Sequence, residues 1–223
     1  MSALTHSQQV ALRISLVEPR LLSSSHTFLT HPSLRRLFPE YMFRLYCAVR
    51  AVVPLMETAR ARAMAMAATC PVAALLVPYL QDHIAEETGH DQWLLEDLEV
   101  LGLSRSEVLS RPPARTVAAL VGSQYYWVQH VHPVGLLGYM AMFEGYPPAR
   151  QEIDQVQGAT GYGAEAFRTH LLHADLDPHH GDDLDHLLDS LRLTEQQRTL
   201  IGLNAIASVQ LITQAQQELL DRF

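Results

Sequence analysis

The chain has 223 residues, 48% of them apolar, so a single domain spanning 1–223 with its own core is expected. Its formal net charge of -8, with the arginines scattered rather than clustered, argues against a phosphate-backbone partner, and no nucleic acid is expected. All 16 basic residues are arginine, which removes catalytic-lysine and Schiff-base chemistry; the two cysteines, Cys47 and Cys70, supply neither a disulfide framework nor a CxxC motif.

The first ten residues, MSALTHSQQV, lack the basic and then apolar pattern of a secretory signal, and with this cysteine usage a cytoplasmic protein is expected. Apolar residues recur at helical rather than alternating spacing, so the fold class is all-α. Helices are predicted at about 7–30, 39–68, 71–101, 115–145 with a kink near Pro133, 163–190 with an irregularity near Pro178 and Gly181, and 194–221. Short breakers such as His31-Pro32-Ser33, Thr69-Cys70-Pro71 and Gly145-Tyr146-Pro147-Pro148 separate them, and the helices are expected to pack as one bundle. The longest uncharged run, Ala63 to Leu80, is interrupted by Pro71 and Pro78 and reads as core helices and a turn, not as a membrane span.

The third predicted helix carries His83, Glu86, Glu87 and His90. Glu87-x-x-His90 is the spacing by which two side chains three apart on a helix share a metal, although the same spacing also occurs on solvated acidic faces. His83, Glu87 and His90 share a face with Leu80, which favours burial. Gly89, read as lying inside the helix, would cost about 1 kcal/mol relative to Ala and is most simply explained by close packing against the backbone. Glu144 ends the otherwise uncharged run Leu136 to Phe143; it either emerges into solvent at Gly145 or, buried, requires a partner. In the next helix His173, Asp177 and His180, at i, i+4 and i+7, stay within roughly 60° of one another and can converge on one point.

Glu87-x-x-His90, Glu144 and His173-x3-Asp177-x2-His180, in this order on three helices, resemble the haem-oxygenase-like di-iron oxidase and oxygenase family, whose members are also called iron-containing redox enzymes. Thr30-His31-Pro32-Ser33-Leu34, Leu37-Phe38-Pro39-Glu40-Tyr41 and Arg50-Ala51-Val52-Val53-Pro54-Leu55-Met56 are similar to that family's first two helices, so the likeness covers nearly the whole chain. It implies a seven-helix haem-oxygenase-like bundle that binds two Fe(II) ions and no haem, uses O2, and forms a homodimer. One iron would be held by Glu87, His90 and a histidine of the last segment, the other by the second histidine and Asp177, with Glu144 bridging or terminal. In some members the first carboxylate stands seven residues before the histidine, where this chain has His83; Glu87 is the expected ligand, with Glu86, His83 and Glu57 as alternatives.

His170, His179 and His186 are expected to face solvent or a neighbour. The reaction implied is O2-dependent oxidation of a small amine, amino acid or fatty acid, with no catalytic side chain expected beyond the metal ligands. Tyr125, Tyr126, Trp127, Tyr139 and Phe143 are candidate pocket residues or else core, and Arg50 and Arg168 are candidates for a substrate carboxylate. Competing readings on the same fold are a thiaminase-like enzyme with a cysteine nucleophile, a cofactor-free quinone-synthesis oxidase, a haem protein using His6, His26 or His31, and a non-catalytic metal- or ligand-binding module.

Overall fold

The computed structural model describes residues 4–146 and 149–223, with side chains described outside 175–179. Twelve α-helices occupy the described residues, in place of seven, because the long predicted spans break where local chemistry stops a helix. The first span divides into α1 (His6–Ser15), started by a Thr5–Gln8 capping box, and α2 (Glu18–Leu29), with proline in its first turn. Next come α3 (Leu34–Val49) and α4 (Val52–Met66). Pro71 opens α5 (Pro71–Glu87), which gives way at Gly89 to α6 (His90–Val100). A short α7 (Arg105–Ser110) precedes α8 (Arg115–His130), and a 3-10 turn at Pro133–Gly135 replaces the predicted kink before α9 (Leu136–Glu144). The remaining helices are α10 (Arg150–Thr160), α11 (Arg168–Ser190) and α12 (Glu195–Leu220). α11 runs through Pro178 and Gly181 without the expected interruption.

The longest helix, α12, packs on α1, α2, α8 and α9. Its approach to α9 is close enough that a Cβ on Gly138 would lie 2.1 Å from the Ile201 carbonyl oxygen, so only glycine fits there. A buried polar ladder crosses the same contact. Asn204 Nδ2 donates to Gln124 Oε1 and to the Gly135 carbonyl, both at 2.7 Å, and Ser208 Oγ donates to Asn204 Oδ1 at 3.1 Å. All three side chains are 0% exposed and all are hydrogen-bonded, as burial requires.

The apolar side chains form two clusters. One gathers Leu55 and Met56 of α4, Leu76 and Leu80 of α5, and Leu136, Tyr139 and Met140 of α9 against Ile201 and Val209 of α12. The other gathers Phe28, Phe38, Met42, Leu94, Ile153 and Phe167, from α2, α3, α6, α10 and the 3-10 turn Ala164–Phe167 before α11. A cavity of about 500 Å³ lies where they meet, walled by both. Among the described residues no helix is long and apolar enough to cross a membrane.

Candidate metal centre

One side of that cavity carries the polar side chains that the sequence singles out. α5 ends at Glu87, and Gly89, at φ +102°, turns the chain into α6. Glu87-x-x-His90 therefore does not lie on one continuous helix, as expected, but straddles a junction. The pair still meets: His90 Nδ1 lies 3.0 Å from Glu87 Oε2, both residues being buried. Nothing lies within 4 Å of a Cβ placed on Gly89, so the glycine is there for its left-handed backbone and not, as the sequence suggested, for close packing.

His83, one turn before Glu87 on α5, is 3% exposed, and its Nε2 lies 3.2 Å from Glu144 Oε1 at the end of α9. From α11, His180 Nδ1 reaches 3.3 Å from Glu144 Oε2 and 3.9 Å from Glu87 Oε1. His173 comes from the same helix two turns earlier. Its Nδ1–H donates to the Thr169 carbonyl at 2.8 Å, which fixes the ring and leaves Nε2 as the free donor atom; its ring centroid is 4.9 Å from that of His90. Trp93 stacks on His90 at 4.2 Å between centroids.

The electrostatics follow from this crowding. Burial opposes ionisation of Glu144, but hydrogen bonds from His180 and His83 outweigh it and hold its carboxyl down to about 2. The same hydrogen bond to Glu144 lifts His180 to about 9. His83 is also raised: burial works against its charge, and the Glu144 contact prevails. His173 is lowered by burial, only partly offset by its bond to the Thr169 carbonyl.

Among the described residues two sets of ligand atoms each lie within a 4.8 Å span: those of Glu87, His90 and His173, and those of His83, Glu87 and Glu144. Donors that share one ion at bond lengths of about 2.0–2.3 Å fall within such a span. The mixed nitrogen and oxygen set suits iron or manganese better than structural zinc, which favours sulfur, or calcium, which favours oxygen alone. The residues present therefore fit the metal that the resemblance implies. Glu87 belongs to both sets, and His83, one of the alternatives in the sequence reading, stands in the second with Glu144.

The remaining expectations fall out as follows. Asp177 lies outside the described residues. Glu86 stands at the exposed rim, its carboxylate 3.4 Å from His83 Nδ1 and 3.7 Å from His180 Nε2. Glu57 is exposed on α4 and does not line the cavity. Tyr139 and Phe143 line the cavity, whereas Tyr126 is 62% exposed and does not; being near the end of an amphipathic helix, it points outward with His130. Tyr125 and Trp127 pack on the core instead. Neither candidate arginine reaches the cavity: Arg50 lies over the Tyr46 ring, and Arg168 bonds the Trp93 carbonyl and pairs with Glu96. His186 is exposed, as expected, and His179 lies outside the described residues.

Two residues acquire roles that the sequence reading did not give them. His170, expected to face solvent or a neighbour, lines the cavity; burial pushes its pKa down to about 4. Asp97, 1% exposed, accepts a hydrogen bond at 2.9 Å from the Thr169 amide and so caps the first turn of α11 from α6. Burial raises its pKa, opposed by the Thr169 bonds and by Arg168. A signal for Asp97 was present, since His90, Leu94, Asp97 and Leu101 form one helical stripe whose members are all buried.

The all-α bundle has the haem-oxygenase-like fold. The fold matches a crystal structure of a domain of unknown function with a haem-oxygenase-like fold from Shewanella denitrificans OS217, with a TM-score of 0.79 at 20% identity over 96% of this chain and 90% of that one. It also matches a TenA homolog from Pseudomonas syringae pv. tomato DC3000, with a TM-score of 0.74 at 12% identity over 96% and 92%. The chain belongs to the iron-containing redox enzyme family, whose sequence profile matches residues 48–211. No curated protein matches the sequence.

Proposed function

We propose that the chain is a non-haem di-iron oxygenase or oxidase that activates O2 to oxidise a small amine, amino-acid or fatty-acid-like substrate, by N-oxygenation, C–C cleavage, desaturation or decarboxylation. The same reading has it act in the cytoplasm as a homodimer. The observation that carries it is the convergence of His83, Glu87, His90, Glu144 and His173 in two three-residue sets that share Glu87, with His83, Glu87, Glu144 and His173 lining a mostly apolar cavity. Iron(II) bound there would supply the redox chemistry with O2 that no side chain of this protein can supply.

The chain's own groups do the rest. Glu87 and Glu144 would offset the charge of bound ions, and the proton that His180 shares with Glu144 would have to leave for both to serve as donors. Tyr139, Met140 and Phe143 form an apolar wall beside the donors, which excludes water from the reacting atoms. The cysteine-based alternative finds no support in the placement of the thiols. Cys47 is buried in the second core cluster and Cys70 sits beside His132 Nε2 at 3.4 Å, and neither lines the cavity.

Iron content of the purified protein is the test. Two irons per chain, both lost in Glu144→Ala and in His173→Ala while the helical circular dichroism is kept, is the expected result. Unchanged metal content in these variants refutes the reading. Oxygen consumption that depends on an added candidate substrate then separates an enzyme from a binding module.

A further inference from the structure

The cavity contains a second polar point that the metal centre does not use. His170 follows Thr169 in the first turn of α11, its ring beside those of Tyr41 and Phe38 at 6.0 and 6.3 Å between centroids. Its Nδ1 is buried and has no hydrogen-bond partner among the described residues. Leaving a buried polar atom unpaired costs about 1–3 kcal/mol; Nδ1 is sealed from the cavity, but the ring lines its wall, so it is the other ring nitrogen that a molecule in the cavity can meet. Tyr41 lines the same cavity from α3, with Phe28, Phe38 and Phe167 as its apolar neighbours.

We propose that His170, with Tyr41 beside it, is the specificity-determining contact for the substrate: it hydrogen-bonds an uncharged polar group, such as a hydroxyl or phenol, carried on an otherwise apolar molecule. This rests on the cavity being the substrate site of the proposed metal centre. The remaining nitrogen of a neutral imidazole is a donor in one tautomer and an acceptor in the other, and a hydroxyl complements either. Among the described residues no arginine lines the cavity, so a carboxylate finds no guanidinium at this point; the other ionisable groups there are His83, His173, Glu87 and Glu144 of the proposed centre, Glu18, Glu152, Tyr139 and Tyr146. A substrate with a free carboxylate next to His170 would lose its hydration without an ion pair in return.

The test uses three probes of matched shape, propylbenzene, 4-propylphenol and 4-propylbenzoate. Their binding to the full-length protein is measured by ligand-observed NMR, once loaded with iron(II) under nitrogen and once after chelation. 4-Propylphenol should bind about tenfold more tightly than propylbenzene in both forms, the worth of one well-placed hydrogen bond. His170→Phe should abolish that difference while changing propylbenzene binding less than twofold, and Tyr41→Phe should narrow it. Should His170→Phe not fold, His170→Gln and the histidine 15N shifts of the wild-type protein on adding 4-propylphenol carry the same test. Equal affinity for the phenol and propylbenzene, a preference for the benzoate that survives chelation, or equal losses for both neutral probes in His170→Phe would overturn the proposal. Because these outcomes are read in the metal-free form as well, they are independent of the iron stoichiometry that decides the proposed function.

Discussion

Substituting Gly89 by Ala separates two physical pictures of the α5–α6 junction by the sign of its effect. In a continuous helix, Gly→Ala stabilises by about 1 kcal/mol through backbone entropy. The structure gives the opposite expectation, because Gly89 has φ +102°, where an L side chain costs about 1–3 kcal/mol. The added methyl meets nothing within 4 Å, so neither a clash nor a new contact alters that figure. At roughly 2–4 °C per kcal/mol for a chain of this size, Gly89→Ala should lower the thermal midpoint by roughly 2–12 °C. Gly89→Asn, which tolerates a positive φ better, should lose less. The assay is thermal unfolding followed by circular dichroism on metal-free protein, with iron content measured in parallel. If Ala instead draws the junction into a regular helix, His90 swings relative to Glu87 and iron binding weakens while the midpoint holds. A raised midpoint with full iron binding would refute the reasoning, since it would mean that the positive φ is not required.

Two further predictions follow from the same site. In metal-free protein, Glu144, depressed to about 2, contributes stability that is present above its ordinary value of 4.5 and lost as pH falls towards 2. His180, raised to about 9, contributes stability that is present below 6.5 and lost as pH rises through 9. Both shifts describe one shared interaction, so chemical unfolding should show a stability maximum near pH 4.5–6.5 that flattens in Glu144→Gln; a wild-type profile identical to the variant's would contradict it. Asp97→Ala should lower the thermal midpoint by roughly 2–8 °C, from a lost cap of about 1–2 kcal/mol, and should reduce iron content. Asp97→Asn, which keeps an acceptor for the Thr169 amide, should recover most of both, and an Asp97→Ala protein with unchanged melting and iron content would show that the cap is idle.

Much of the site was legible because metal donors are unusual on apolar stripes. Glu144 ending an uncharged run and the i, i+7 pair His173 and His180 needed only helical periodicity; Glu144 and His173 line the cavity, and His180 lies against Glu144. Glu87 and His90 were found for a partly mistaken reason: the sequence places them three apart, but their contact depends on a left-handed glycine, which helical geometry alone does not reveal. His83 was underrated because a histidine stood where a carboxylate was expected, and only the approach of α9 shows that it faces Glu144. His170 was missed because nothing local distinguishes it from the exposed His186; α3 and the turn before α11 must fold over it first. Tyr126 was overrated for the converse reason, since an aromatic cluster signals area to bury, not which side of the helix buries it.

The ladder of Gln124, Asn204 and Ser208 has a bearing on how this bundle keeps its alignment. Leucines and alanines sliding past one another by a helical turn, about 5.4 Å, would find nearly equivalent grooves. The ladder does not tolerate such a slip, since it would strand three fully enclosed polar side chains among hydrocarbon. It acts as a register pin, and it holds α12 to the Gly135 carbonyl, at the root of the helix whose far end is Glu144. A helix that contributes none of the proposed donors thereby sets where one of them stands, and a change in this pin should be felt as a misplaced carboxylate some three turns away.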